Sequence, residues 1–315
     1  MNPTTRLLIV TQAPGTYERL VREGGIGDIE IVPCHTAEEA RSHLKGCDII
    51  LGEPRRVAPL LEFAEGLKWV QSTFAGVEPL IGPSMRKDYL LTNVRGLFGP
   101  LMSEYVFAYV LAIERHLFET RDHQREHHWR EMPYRPLKGI LMGVCGLGSI
   151  GRHVARTAKH FGMEVWGFKR SEEKVPCVDR VFTDKDFAAF LAQPEYVVAV
   201  LPETPETRHL FDDRAFEQMN PSAVLINVGR GPLVSEAALV RALVDHRIRG
   251  AVIDVFETEP LPEESPLWDA PNLLITPHNA AVGFPGPVVR IFTENYRRFM
   301  AGKPLQYVVD FERGY

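Results

Sequence analysis

Three side chains in the second half of the chain would together reduce a carbonyl group. Arg230 stands between two glycines in Asn227-Val-Gly-Arg-Gly231, directly after a fully apolar run. Its guanidinium is a planar fork shaped for a carboxylate. Asp254 ends the next apolar run, and Glu257 and Glu259 follow it in Asp254-Val-Phe-Glu-Thr-Glu-Pro260. His278 closes Thr276-Pro-His278 after a third such run. Carbonyl reduction needs a cation for the substrate, a proton donor, and an anion that favours the donor's charged form. Singly, each residue has an ordinary reading. A histidine after proline is commonly a loop residue, and an aspartate can cap a helix. Their recurrence at successive strand ends gives the set its weight.

A second group of residues points to a cofactor. Gly146, Leu147, Gly148, Ser149, Ile150 and Gly151 form a GxGxxG turn. Before it, Gly139 to Cys145 reads as a buried strand. After it, Arg152 to Phe161 reads as a helix, with Val154, Ala155, Ala158 and Phe161 at helical spacing. A second strand, Glu164 to Arg170, follows. In that setting the glycines form a dinucleotide fingerprint, with pyrophosphate on the N–H groups of the helix start. Enzymes that use NAD place Asp or Glu roughly 20 residues further on, for the ribose 2′-hydroxyl. This chain has Lys169, Arg170 and Ser171 instead. Two cations and a hydroxyl attract a 2′-phosphate, so NADPH is the preferred cofactor and NADH the second choice.

The elements that must position these residues alternate between strand and helix. Strands are predicted at 6–11, 28–33, 47–52, 67–72 and 89–93, and again at 139–145, 164–170, 195–201, 223–228, 250–255 and 272–276. Helices are predicted at 36–45, 102–117, 152–161 and 288–300. Such alternation gives parallel sheets covered on both faces, with ligands outside the carboxyl ends of the strands. The pattern breaks near Gly99-Pro100 and again at 283–287. The last helix is too short to be a domain, so it is expected to return to the first. Domain boundaries therefore fall at 1–100 plus 285–315 and at 101–284.

Bulk properties exclude several function classes. A chain of 315 residues is ample for two cores. A formal net charge of −5 gives no electrostatic reason to expect nucleic acid. The first ten residues hold too short an apolar run for a signal peptide, and no stretch reaches membrane-spanning length. The four cysteines show no zinc spacing, and a reducing cytoplasm is expected. No metal is expected. His123 and His127 lie four apart, which matters only if their segment is helical, and a solvated face is the simpler reading.

Taken together, Gly146–Gly151, Leu201-Pro-Glu-Thr-Pro-Glu-Thr207, Asn227–Gly231, Asp254–Pro260 and Thr276–His278 resemble the D-isomer-specific 2-hydroxyacid dehydrogenases over nearly the whole chain. Lys169-Arg170-Ser171 and the ending Val309 to Tyr315 resemble the NADPH-linked glyoxylate/hydroxypyruvate reductase branch. The resemblance implies two doubly wound α/β domains, a flavodoxin-like substrate domain and a Rossmann cofactor domain, with the active site in the cleft between them. It also implies a homodimer formed mainly through the cofactor domain. It makes Arg230 the residue that binds and polarises a 2-oxo acid, His278 the general acid/base and Glu259 its partner. Glu257 is left as a surface charge. Leu201, Pro202, Thr207, Val228, Gly229, Arg230, Asp254 and His278 would line the cofactor, with Asp254 near the nicotinamide carboxamide. Ala75, Gly76 and Val77 would hold the substrate carboxylate through backbone N–H groups, and Phe74 would face its side chain. The chain departs from the family at the missing ribose acid and at Asn279, where a small or aliphatic residue is commoner. Other readings of the same residues are an NAD-dependent 3-phosphoglycerate-type dehydrogenase and a dinucleotide-sensing protein without turnover. Glyoxylate, hydroxypyruvate and phenylpyruvate all fit as substrates.

Overall fold

The computed structural model describes residues 5–27 and 29–312. The chain forms two compact units. One holds the residues up to Leu97 together with those from Gly283 onward, and the other spans Phe98–Val282.

The first unit is built on strands β1 (Thr5–Val10), β2 (Ile29–Cys34), β3 (Ile49–Gly52), β4 (Trp69–Ser72) and β5 (Leu90–Thr92). Their order is β2-β1-β3-β4-β5 and every pair is parallel. That order reverses between β1 and β3, the doubly wound pattern that leaves a ligand crevice at the strand ends. Leu8, Val10, Ile50 and Val70 are fully buried in its core, because a parallel sheet is covered on both faces. The predicted second strand included Asp28, which lies outside the described residues. The end of the tail, Arg313, Gly314 and Tyr315, lies outside them as well.

The C-terminal helix Pro285–Met300 completes this unit. Phe292 stacks on Trp69 at a centroid distance of 5.2 Å. Asn295 Nδ2 donates to Gln71 Oε1 at 3.2 Å, and Val309 N donates to the Leu91 carbonyl at 2.9 Å.

The second unit carries β6 (Leu141–Cys145), β7 (Glu164–Phe168), β8 (Arg180–Phe182), β9 (Tyr196–Ala199), β10 (Val224–Asn227), β11 (Gly250–Ile253) and β12 (Leu273–Ile275). The order is β12-β11-β10-β9-β6-β7-β8, again all parallel. Strand β8 was not predicted: three residues, only one of them buried, give no readable periodicity. The helix after β6 runs Ser149–His160 and so begins inside the glycine motif, three residues earlier than its apolar spacing indicates. Gly148 is its N-cap. The helix Gly99–Glu114 belongs to the same unit. Among the described residues no helix is long and apolar enough to cross a membrane.

Candidate active site

The glycine turn is shaped by two close approaches. Gly146 has φ +100°, a conformation that L side chains rarely adopt. A Cβ on Gly151 would collide with the Gly146 carbonyl oxygen, so the first helical turn lies against the strand end. At Gly148 the opposite holds: a Cβ there would meet nothing within 4 Å. The backbone at the helix start is thus open to a ligand, and no side chain caps it. A helix of twelve residues then offers its N–H groups and the positive end of its dipole to a phosphate. These features fit a dinucleotide.

Lys169 and Arg170 follow β7 directly. Lys169 Nζ bonds Glu173 Oε2 at 3.0 Å, while Arg170 Nη2 lies 3.9 Å from Glu206 Oε2. Ser171 is exposed. After β9, Leu201 and Pro202 are half-buried. Thr207 donates to the Pro202 carbonyl at 2.7 Å and accepts from Thr204 N at 2.8 Å, which fixes the 202–207 loop.

After β10, buried Asn227 shapes the arginine turn. Its Nδ2 donates to the Arg230 carbonyl at 3.0 Å, and its Oδ1 accepts from Gly229 N at 3.1 Å. Val228 is buried beside it. Arg230 is half-buried, with Nη1 donating to the Gly229 carbonyl at 2.6 Å. Sequence reasoning quoted Asn227 within the motif but gave it no task. An amide three residues before a glycine-flanked arginine is the signal that was available.

After β11 and β12 the histidine and its partner meet. His278 Nδ1 lies 2.9 Å and 3.0 Å from the two carboxylate oxygens of Glu259. Glu259 Oε1 also accepts from Phe256 N at 3.2 Å. The imidazole is 52% exposed and the carboxylate 18%, so Nδ1 is turned inward and Nε2 is the nitrogen left for a reactant. Asp254 is buried and its carboxylate is occupied by the chain itself. It accepts from Thr276 Oγ1 at 2.6 Å, Asn279 N at 2.9 Å and Ala280 N at 3.0 Å.

Glu257 is exposed, the surface charge expected of it, and it is tied to Glu236. Its N–H donates to Glu236 Oε1 at 2.8 Å, and its own Oε1 accepts from Glu236 N at 3.3 Å. His209 Nε2 lies 3.2 Å from the same oxygen. Burial, then the neighbouring Glu257 charge, raises the Glu236 acid above its ordinary value. The pair joins the start of the helix Glu236–Val244 to the turn that carries Glu259.

In the first unit, the 72–77 segment leaves the carboxyl end of β4. Ser72 Oγ donates to the Phe74 carbonyl at 2.8 Å, and Asn93 Nδ2 donates to the Ala75 carbonyl at 2.8 Å. Phe74 is exposed, Ala75 and Gly76 are half-buried and Val77 is buried. The helix Leu117–Arg125 ends before His127, so His123 and His127 do not share a helical face. Among the described residues no group of three or more His, Cys, Asp or Glu is placed to hold a metal ion.

Residues 107–280, more than half of the chain, match the family model described as D-isomer specific 2-hydroxyacid dehydrogenase, NAD binding domain. The chain belongs to the D-isomer specific 2-hydroxyacid dehydrogenase family. A glyoxylate/hydroxypyruvate reductase A from Photorhabdus laumondii is 32% identical over 263 residues, covering 81% of this chain and 84% of that protein. A solved family member from Aeromonas salmonicida is 45% identical, with a TM-score of 0.94 over 98% of this chain and 99% of that one. Another, from Xanthobacter autotrophicus in complex with NADPH and MES, is 31% identical, with a TM-score of 0.90 over 99% of this chain and 100% of that one. As a dehydrogenase of this family the chain is an oxidoreductase with a nicotinamide-dinucleotide domain.

Proposed function

We propose that this dehydrogenase reduces a small 2-oxo acid of the glyoxylate or hydroxypyruvate type to the 2-hydroxy acid, with NADPH in preference to NADH. The observation that carries this reading is the His278–Glu259 pair. It stands at the carboxyl end of the same parallel sheet that bears the open glycine turn. The name of the Photorhabdus relative and the NADPH held by the Xanthobacter protein support it.

Gly146 to Gly151 would hold the pyrophosphate, and Lys169, Arg170 and Ser171 the 2′-phosphate. Leu201, Pro202, Thr207, Val228, Gly229 and Asp254 would border the rest of the dinucleotide. When bound, that group supplies a hydride. Arg230 would hold the substrate carboxylate and carbonyl and stabilise the developing oxyanion. The backbone N–H groups of Ala75, Gly76 and Val77 are assigned to the carboxylate, and Phe74 to the substrate side chain. His278 would donate a proton from Nε2 to the carbonyl oxygen, while Glu259, facing Nδ1, favours the imidazolium and fixes the ring.

We also assign the chain to homodimers formed through the second unit, in a reducing cytoplasm. Trp129 is 97% exposed and Leu117 is exposed too, apolar side chains that a second copy would cover. The four cysteines are unpaired. Light scattering of the purified protein tests the dimer.

Steady-state reduction of glyoxylate, hydroxypyruvate and phenylpyruvate, each with NADPH and NADH, tests the function. Turnover of one small acid with NADPH ahead of NADH is expected. A protein that binds the dinucleotide and turns over none of the three acids overturns the substrate reading. A His278→Ala variant should lose about 10²- to 10⁴-fold in turnover.

A further inference from the structure

We propose that Tyr105 and Thr276 are positioning residues of this reaction, a hydroxyl relay that holds the His278 backbone through the buried carboxylate of Asp254. This rests on His278 being the proton donor. His278 has φ +51°, in the left-handed region. A non-glycine residue stays there only when its surroundings over-determine it. Beside the Glu259 contact at the ring and a 3.1 Å bond from His278 N to the Thr276 carbonyl, the turn itself is gathered on Asp254. His278 N donates to the Asp254 carbonyl at 2.9 Å, Asn279 N to its Oδ1 at 2.9 Å and Ala280 N to its Oδ2 at 3.0 Å. Three successive N–H groups thus close on Asp254, and the turn they form aims the imidazole.

The carboxylate that makes this clamp must itself be oriented. Thr276 Oγ1 donates to Asp254 Oδ1 at 2.6 Å. With its proton committed there, Thr276 Oγ1 accepts from Tyr105, whose hydroxyl lies 2.6 Å away. Tyr105 sits on the helix Gly99–Glu114, and burial holds its phenol well above its ordinary value, so it remains a donor throughout the working range. Thr276 and Tyr105 are 171 residues apart in sequence. Each bond satisfies a polar group in a site where an unmet one is costly. Neither relay hydroxyl is assigned to the cofactor or the substrate, and the Asp254 carboxylate they orient is spent on backbone N–H groups. Their loss should therefore be read in turnover far more than in dinucleotide affinity.

The test compares Thr276→Val, Thr276→Ser, Tyr105→Phe and His278→Ala in the full-length protein, by kcat, by KM for the 2-oxo acid and by direct titration with NADPH, alongside thermal melting. Thr276→Val keeps the shape and removes the donor; its kcat should fall roughly 10- to 100-fold while the Kd for NADPH stays within about twofold. Thr276→Ser restores the hydroxyl and should recover kcat to within about threefold of the native enzyme. Tyr105→Phe removes the outer link, along with the phenol's interaction with Tyr109, and should cost about 3- to 10-fold in kcat. If Thr276→Val or Tyr105→Phe turns over like the native enzyme while His278→Ala is inactive, the relay is wrong and the function stands. If Thr276→Ser is as impaired as Thr276→Val, the hydroxyl is not what matters and the relay is again wrong. If His278→Ala itself keeps native turnover, the proposed function fails first. Should Thr276→Val melt early or not fold, Tyr105→Phe, which leaves the Thr276–Asp254 bond in place, decides the matter alone.

Discussion

Replacing Glu259 with Gln isolates what the negative charge beside the histidine contributes. The two side chains have similar shape, so packing and the hydrogen bond from Phe256 N can persist. What changes is the attraction between carboxylate and imidazolium across 2.9–3.0 Å. Two unit charges about 3 Å apart attract by roughly 1.4 kcal/mol in bulk water and roughly 5 kcal/mol at an effective dielectric near 20. His278 is 52% exposed and Glu259 is 18% exposed, so the pair lies nearer the water limit. A loss of about 1.5–2.5 kcal/mol follows, which is about 10- to 60-fold in turnover at neutral pH. The assay is initial-rate reduction of the preferred 2-oxo acid at saturating NADPH, across a range of pH. The KM for NADPH should hardly move. A Glu259→Gln enzyme within about twofold of native turnover at neutral pH would refute the electrostatic reasoning, since even the water limit predicts more.

Three further outcomes are expected. Gly151→Ala drives a methyl into the Gly146 carbonyl, so NADPH should bind at least about fivefold more weakly by fluorescence titration, from roughly 1–3 kcal/mol of overpacking at the turn. The double variant Lys169→Ala, Arg170→Ala should lower the ratio of kcat/KM for NADPH over NADH by about 10- to 100-fold, through loss of charge-assisted bonds to a 2′-phosphate. Glu114 is buried and bonded to Tyr196, Arg249 and Arg135. Burial alone would raise its acid, but those three partners more than offset it and the net displacement is below the ordinary 4.5. A depressed folded value means the stabilisation is intact above 4.5 and is lost as pH falls through that lower value. Glu114→Gln should thus cost about 2–3 kcal/mol in urea unfolding at neutral pH, and progressively less as the solution is acidified.

Much of the architecture was legible because parallel strands buried on both faces read as unbroken apolar runs. Val224 to Asn227 and Gly250 to Ile253 are such runs, and both lie where the pattern put them. Helix boundaries were less legible. The Ser149–His160 helix starts within the glycine motif because its first turn is held by Gly148 and backbone contact, not by an apolar stripe. In the candidate site, Arg230 and His278 stood out in the sequence because each closely follows an apolar run, whereas Glu259 was set apart from Glu257 only by the family resemblance. Tyr105 did not stand out. It lies in a helix rich in apolar residues, and its one polar atom takes its meaning from Thr276, far off in the chain. The link between Glu257 and Glu236 was hidden for a related reason: both are acids, and the bonds between them run to backbone N–H groups that carry no sequence signature.

The split of the first unit between the two ends of the chain sets an order of assembly. During synthesis the strands up to β5 emerge first, yet the face of Trp69 waits for Phe292 and Phe299 to cover it. The second unit is continuous from Phe98 to Val282 and has all its strands before the C-terminal helix is made. It can therefore close its core while the earlier unit is still incomplete. A ribosome stalled before that helix is complete would leave a finished cofactor unit attached to a sheet with an open indole face and an unpaired β5 edge, the kind of surface that seeds aggregation.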